Sequence, residues 1–467
     1  MVKGSSAKKQ MIGQLYNNLI KLLGEIDSDI AIKKFSDKLE VVTPIKVVNR
    51  VRERLLNTSG IEQVLEALQF DNMENLEDIK AKVCEISASE IVDKTFVVRA
   101  KRSGKHDFNS SEMERTIGGY MLAHTPSSKG VDLHNPDVTI KIELINNQLN
   151  IITQKHMGLG GFPIGTQGDV LSLMSGGFDS TVASYLTMRR GLKTHYIFFN
   201  LGGIAHEIGV KQVSFYLWNK FGASHRVKIV SVPFDDVLTE IFRSTPETYM
   251  GVTLKRLMIL AAQKIADEME IDALVTGESI AQVSSQTLRN LSLIDQVSQK
   301  LIIRPLATVD KPEIIQLATK IGTRHFAENM PEYCGVISKN PITHGSFKRM
   351  EKEAKRFNYE VLDKAVENAV SIYVDEVVND VNRQSPVEVI SELKEEYVVI
   401  DIRPEEETIS SELCETIKIP FHKLKTEFKK LPKNREYLLY CEKGVMSQLH
   451  AQYLNDSQED IRVRVYR

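Results

Sequence analysis

VLSLMSGGFDSTVA, residues 170–183, is the stretch on which the fold of this chain turns. Its first half is an apolar run of strand length, and from Ser180 onward the pattern is helical. Between the two lies Ser175-Gly176-Gly177-Phe178-Asp179-Ser180, a tight turn. Two glycines let backbone N–H groups close on an anion, and the helix start adds the positive end of its dipole. Ser175 and Ser180 supply hydroxyl donors. Asp179 stands where a second positive partner, most simply Mg2+, can bridge carboxylate and phosphate. Neither GxxxxGK[ST] nor GxGxxG occurs, so this is a phosphate loop of another kind.

Working outward, strand patterns recur at DVLSLM, THYIFF, HRVKIVSV and DALVTG, with helices beginning near Ser180, Glu207, Asp236 and Gly251. Short apolar runs alternating with helices predict a doubly wound parallel sheet. The stretch 158–168 (GLGGFPIGTQG) marks the upstream boundary with five glycines. Before it, Ile12, Leu15, Leu19, Leu22 and Leu23 make a one-faced helix, followed by a strand IAIKK, the stretch KLEVVTPI and a second helix through Val47, Val51 and Leu55. KTFVVRAKRSGKH (94–106), SSEMERTIGGYMLAH, VTIKIEL and QLNIITQ then form a second α+β module. Downstream, residues 345–385 read as a charged helical connector, and YVVIDIR, ETIKIP, EYLLYC and RVRVYR as a smaller α/β domain.

Sixty Lys+Arg against sixty-two Asp+Glu leave a net charge of −2 in 467 residues. That excludes a histone-like polycation and requires any nucleic-acid contact to be local. No apolar run is long enough to span a bilayer, the opening MVKGSSAKKQ lacks a signal-peptide layout, and four cysteines cannot be a disulfide framework. A cytoplasmic protein without membrane attachment is expected.

Three later residues fit the same site as the loop. Lys255 lies on a helix after the third strand, Gly277 ends the strand ALVTG at the carboxyl edge where ligands bind in such sheets, and Gln286 lies in the polar run QVSSQTLRN. His206 and Glu207 are weaker candidates, because a glycine turn opening a helix explains both.

Cys441 ends the strand EYLLY and opens CEKGVMSQLHAQYL, which turns helical within a few residues. A thiol there faces free backbone N–H groups, which stabilise a thiolate or persulfide anion. Cys84 lies on a helix among Val83 and Ile86 and reads as core; Cys414 lies in an acidic loop. In the upstream module, Lys101, Arg102, Lys105 and His106, beside Phe96 and Phe108, predict phosphate contacts next to a stacking ring.

SGGxDS resembles the loop of the N-type ATP pyrophosphatases, and Cys-x-x-Gly-x-x-Ser with Asp401-x-Arg403 resembles the rhodanese fold. Rhodaneses that use thiosulfate carry arginines in that loop, where this chain has Glu442 and Met446, so sulfur is expected from a protein donor. The order of modules, with RAKRSGKHDF, GLGGFPIGTQ, SGGFDS, PEYCGV and CEKGVMS, resembles the tRNA 4-thiouridine synthetase (tRNA sulfurtransferase) family in its long form.

The resemblance implies a ferredoxin-like subdomain at 1–50, a THUMP-like RNA-binding domain at 51–157, a pyrophosphatase domain at 158–344, a helical connector at 345–388 and a rhodanese-like domain at 389–467. The family opens with a β-strand where this chain has only MVKGSS, so the first sheet is expected to lack a strand and expose an edge. Leu173, Met174, Ser175, Gly176, Gly177, Ser180, Lys255, Gly277 and Gln286 would bind ATP, with Mg2+ at Asp179 and no tightly bound metal. Cys441 would carry the persulfide and Cys334 would pair with it as a disulfide. The implied activity is ATP-dependent formation of 4-thiouridine at position 8 of tRNA through an adenylated uridine. The implied partners are tRNA, a cysteine desulfurase and the sulfur-carrier protein of thiamine thiazole synthesis, with a homodimer possible. Two rival readings are an amidating synthetase of the same pyrophosphatase class, for which no ammonia-producing module is seen, and a sulfur-carrier or RNA-binding protein without turnover.

Overall fold

The computed structural model describes residues 4–35, 38–201, 203–328, 330, 340–377, 379–380, 387–403, 414–441, 447–448, 450–451, 454–455 and 462–466, without the side chains of 203–205, 422 and 425. The chain divides into two compact units, residues 61–160 and the remainder.

The unit at 61–160 is a five-stranded sheet in the order β3-β7-β6-β4-β5, built from β3 (Gln63–Phe70), β4 (Thr95–Ser103), β5 (Gly130–Val131), β6 (Val138–Ile145) and β7 (Gln148–Met157). Helices α3 (Leu76–Ser87) and α4 (Ser110–His124) pack on each other, and α4 also on β4. Each opens on an asparagine whose side chain accepts a backbone N–H, Asn75 from Asp78 and Asn109 from Glu112, a standard stop for orphan donors. Ile79, Val83, Met113, Ile117, Ile142 and Phe96 fill the core. Phe96 is completely buried, which corrects its expected role as a stacking ring. It shares strand parity with Val98, both in the core, whereas Arg99 and Lys101 point outward.

The larger unit carries three sheets. Helix α1 (Ser5–Gly24) buries Leu19, Leu22 and Leu23 and anchors through Asn18, whose Nδ2 donates to the Ile164 carbonyl at 3.0 Å. Strands β1 (Ala31–Lys34) and β2 (Leu39–Val42) form an antiparallel pair, and α2 (Val48–Leu56) follows. The compact unit at 61–160 begins after α2, ten residues beyond the boundary drawn at residue 51.

The central sheet has the order β12-β11-β8-β9-β10-β13. Its parallel strands are β8 (Asp169–Leu173), β9 (Lys193–Asn200), β10 (Lys228–Pro233), β11 (Ala273–Val275) and β12 (Leu301–Ile303). Because helices cover both faces, β9 is buried along six of its eight residues. One group of helices is α5 (Phe178–Arg189), α6 (Gly203–Leu217) and α10 (Lys311–Ile321). The other is α7 (Asp235–Ser244), α8 (Met250–Glu268), α9 (Leu288–Asp295) and α13 (Tyr359–Glu367). The short helix α11 (Arg324–Glu328) follows α10, and α12 (Phe347–Ala354) precedes α13.

The connector is helical through α13 and again from Val374, with a strand between. Val370–Tyr373 is a strand, β13, added antiparallel to β10 in the register Lys228↔Tyr373. The alternation in VSIY suits a sheet edge, and surrounding charge hid it from the pattern.

The third sheet is fully parallel, in the order β14-β18-β17-β15-β16. Its strands are β14 (Val389–Ile390), β15 (Tyr397–Asp401), β16 (Glu415–Lys418), β17 (Glu436–Tyr440) and β18 (Val463–Tyr466), with α14 (Phe421–Glu427) between β16 and β17. No helix of the described residues is long and apolar enough to cross a membrane.

Candidate active site

Strand β8 ends at Leu173, and the Met174 N–H donates to the Ile197 carbonyl at 2.8 Å, so the chain leaves the sheet only after Met174. Gly176 takes φ +84°, a left-handed conformation open to glycine, and α5 starts at Phe178. The turn is held internally: Ser175 N donates to Ser180 Oγ at 3.3 Å, and the two hydroxyls lie 3.1 Å apart. Gly277 presses on it from β11. A Cβ there would lie 2.6 Å from the Asp179 carbonyl carbon and 2.7 Å from Ser180 N, so no side chain fits without moving the loop.

The loop opens into a cleft of about 540 Å3 at the carboxyl edge of the sheet. Leu173, Met174, Ser175, Gly177, Asp179, Ser180, Lys255, Gly277 and Gln286 all line it. Four separate chain segments thus meet at one place. Gly176 lies within the same turn.

Asp179 and Lys255 are each paired with residues the sequence did not single out. Lys311 Nζ stands 2.8 and 3.0 Å from the two Asp179 carboxylate oxygens, and Gln282 Nε2 donates to Asp179 Oδ2 at 2.9 Å. Lys255 Nζ meets Glu278 Oε1 at 2.8 Å, while Arg304 Nε and Thr276 Oγ1 donate to Glu278 Oε2 at 2.9 and 3.1 Å. Arg304 also forks onto both Asp295 oxygens at 2.9 and 2.5 Å. Burial pushes the Glu278 carboxyl pKa up, yet the Lys255 and Arg304 cations outweigh it and hold it below the usual carboxylate value. Gln286 is buried and its Oε1 finds no hydrogen-bond partner among the described residues. His206 packs edge-on against Phe198 at 4.8 Å, its Nε2 3.4 Å from the Ser175 carbonyl; burial depresses its pKa, which keeps the ring neutral.

The fit to a nucleoside triphosphate rests on these observations: a glycine turn at a helix start, a buried amide oxygen without a partner among the described residues, and ammonium groups from two helices lining one cleft, Lys311 on Asp179 and Lys255 on Glu278. Asp179 is the carboxylate that would hold Mg2+, and its position in the structure is already shared with the Lys311 cation.

A second site lies where β17 ends. Cys441 is buried, its Sγ 3.3 Å from the Ser447 backbone N–H and 3.4 Å from the Ser447 hydroxyl. A backbone donor aimed at sulfur favours the anionic form of a thiol or persulfide. Beside it on β15, Asp401 is buried and bonded by Arg403 (3.0 and 2.9 Å) and Lys418 (3.1 Å). Burial raises the Asp401 pKa, but these partners, Arg403 foremost, carry it below its ordinary value. Arg403 also lies over Tyr440, 5.2 Å from the ring centre. This brace ties the end of β15 to the end of β17. Cys334, Glu442 and Met446 lie outside the described residues. Cys84 is in the core of the 61–160 unit, where burial raises its thiol pKa.

Comparison with known proteins names the modules. Residues 165–359 match the family model "Thiamine biosynthesis protein (ThiI)", 73–154 the THUMP domain and 385–467 the rhodanese-like domain. A tRNA sulfurtransferase of Vibrio vulnificus strain YJ016 is 48% identical over 472 residues, covering 100% of this chain and 97% of its own. That of Pseudomonas putida is 46% identical over 473 residues with the same coverage. The chain belongs to the tRNA sulfurtransferase family.

It is accordingly an enzyme of the sulfurtransferase class. Among solved structures, a 4-thiouridine synthetase in complex with RNA and ATP is similar with a TM-score of 0.72 and 25% identity, over 80% of this chain and 96% of that one. PH1313 from Pyrococcus horikoshii shares the fold at 19% identity and a TM-score of 0.50, over 69% of this chain and 96% of its own.

Within this tRNA sulfurtransferase family member, the basic turn after β4 is ordered by its own contacts. Arg102 Nη1 donates to the Gly104 carbonyl at 3.2 Å and to His106 Nδ1 at 3.0 Å, and His106 Nε2 donates to the Asn146 carbonyl at 2.6 Å. Lys101 and Lys105 are left exposed, while Phe108, half-buried, stands 5.4 Å from His106. The turn therefore presents two lysines on a braced frame, with Arg102 and His106 serving partly as that frame.

Proposed function

We propose that this chain uses ATP to activate a uridine of tRNA and replaces its C4 oxygen with sulfur carried on Cys441, forming 4-thiouridine at position 8. The observation that carries this reading is the convergence of Asp179, Lys255, Gly277 and Gln286 on the mouth of the SGGFDS turn, in a chain that also holds Cys441 under the Ser447 N–H.

A uracil C4 oxygen is a poor leaving group. Attack of that oxygen on the α-phosphorus of ATP expels pyrophosphate and leaves an O4-adenylated uridine, whose AMP can depart. The α5 N-terminus and the Gly176–Gly177 N–H groups hold phosphate oxygens, and Lys255 and Lys311 offset the charge that grows on them. Mg2+ at Asp179 would supply further charge neutralisation. Leu173, Met174 and Gln286 bind the nucleoside portion. In the direct route the terminal sulfur of the Cys441 persulfide attacks C4, AMP leaves, and Cys334 then attacks Cys441 Sγ and expels the thiouridine sulfur; in the other, Cys334 attacks Cys441 Sγ first, and the released sulfide attacks C4 as AMP leaves. Both routes end with a Cys334–Cys441 disulfide, which a thiol reductant reopens.

Sulfur reaches Cys441 from a cysteine desulfurase, in keeping with a loop that lacks the arginines a small dianion needs. Transfer from the same persulfide to the sulfur-carrier protein of thiazole synthesis is supported by the family description matched at 165–359. Lys101, Arg102, Lys105 and His106 meet tRNA phosphates in the 61–160 unit, in line with the THUMP match at 73–154.

Purified protein incubated with unmodified tRNA, Mg-ATP, cysteine and a cysteine desulfurase tests the proposal. Thiolated tRNA, seen by its near-UV absorbance, should appear with AMP. AMP without thiolation, or neither product from folded protein, would contradict it.

A further inference from the structure

Phe421 opens α14, yet its ring does not stay within the C-terminal domain. It stands 4.6 Å from His325, nearly perpendicular at 75°, and 5.9 Å from both Phe326 and Tyr216. On its own side it faces His450 at 6.0 Å. Tyr216 belongs to α6, and His325 and Phe326 to α11, so one ring joins the Cys441-bearing domain to the nucleotide domain. The receiving rings also pack on each other, Tyr216 with Phe326 at 5.3 Å and His325 with Phe326 at 4.0 Å.

Helix α11 has a second face. Ala327, next to Phe326, and Met330 just beyond the helix both line the nucleotide cleft. Met330 sits so close to the phosphate turn that a Cβ on Gly176 would come within 2.3 Å of its methyl carbon. One short helix thus touches the sulfur-carrying domain on one side and the nucleotide cleft on the other.

We propose that Phe421 and the Tyr216–His325–Phe326 face form the docking surface that holds the Cys441-bearing domain at the nucleotide domain for sulfur delivery. The proposal rests on the reaction given above and names the contact by which its two sites cooperate. Its chemistry suits a reversible contact: a few ring pairs in edge and tilted geometry, far smaller than a domain core. The imidazole behind the pin is uncharged at neutral pH, since burial depresses the His450 pKa to about 4.

Two full-length variants test this from opposite sides, Phe421→Ala and, leaving the C-terminal domain untouched, His325→Ala. Hydrogen exchange of the Arg324–Glu328 amides reads docking without reference to any activity. Exchange there should quicken by about tenfold in Phe421→Ala. The tRNA thiolation rate should fall by about tenfold in each variant, with the double variant no slower than either single one, because both remove one contact. Loading of Cys441 with persulfide by the desulfurase should match the native protein. Unchanged exchange in α11, thiolation within twofold of native, or single losses that multiply in the double variant would each overturn the docking surface. If native protein fails to thiolate tRNA, the proposed reaction falls, and the exchange measurement still decides the docking surface.

Discussion

Strands β8 and β17 each end at the carboxyl edge between parallel neighbours, each has a backbone donor beyond it, Ser175 N–H after β8 and Ser447 N–H after β17, and each has chemistry placed there. The two sites are filled in opposite ways. Around the turn after β8, Asp179, Lys311, Lys255, Glu278 and Arg304 form a web of charge in a cleft of about 540 Å3. After β17, among the described residues, the buried Cys441 thiol lies under the Ser447 N–H and hydroxyl, with the charged Asp401–Arg403–Lys418 cluster set to the side as a brace. A wide site with paired charges suits a polyanion, whose own charge must be offset. A buried sulfur beneath a backbone donor suits sulfur that is handed from one protein group to another. The same strand-end geometry thus serves two halves of one reaction, and the difference lies in which side chains the neighbouring strands and helices contribute.

Cys441→Ser should separate the halves most sharply. Sulfur transfer to tRNA should vanish while ATP binding, measured by calorimetry, stays native; residual thiolation would break the division of labour. Gly277→Ala should do the converse. Its methyl group must displace the Asp179–Ser180 backbone, and a shift of that size should cost at least about a hundredfold in turnover. Persulfide loading on Cys441 should be untouched, and mass spectrometry of the desulfurase-treated protein checks this.

Glu278→Gln removes the charge that holds Lys255 and Arg304. Breaking a buried ionic cluster typically costs about 3 kcal/mol or more. The fall should appear as a lower Tm of the nucleotide domain, with the Cys441 domain unaffected; equal unfolding of both would deny that the web is local.

Acid should weaken both regions together. His195, on β9 of the central sheet, and His450, whose ring faces Phe421, are each depressed to about 4, by burial in both cases and by Lys193 in the first. A depressed folded value means the neutral ring is favoured only in the native state. Stability is therefore full above the ordinary value near 6.5 and is lost as pH falls from there toward 4. Each ring contributes on the order of 3 kcal/mol over that window. Urea midpoints at pH 7.5 and 4.5 should show the loss, and equal midpoints would refute it. Smallest of all, Lys101→Ala or Lys105→Ala should weaken tRNA affinity severalfold and lower its salt slope by about one per contact, with ATP binding unchanged.

The sequence disclosed what is local. The phosphate turn and the strand–helix alternation around it are each written within a dozen consecutive residues and appear in the structure as expected, and Cys441 stands directly after β17. What it concealed is long-range pairing. Lys311 and Asp179 are separated by 132 residues, and Lys255 and Glu278 by 23. Nothing in VDKPEI marks its lysine as the partner of a carboxylate so far upstream. Strand β13 was lost among charged neighbours, because its four residues gain order only from the edge of β10. Phe96 was misplaced for a simpler reason: counting strand parity from Arg99 and Lys101 would have put its ring in the core.

The most direct measurement is a single turnover with sulfur supplied only from the protein. Cys441 would be loaded with isotopically labelled persulfide, freed of the desulfurase, and mixed with unmodified tRNA and Mg-ATP. One label per AMP should pass into the tRNA, and Asp179→Ala, carrying the same labelled persulfide, should pass none. Label that stays on the protein while AMP accumulates, or tRNA labelled equally without Asp179, would contradict a reaction in which the two strand-end sites act on one uridine.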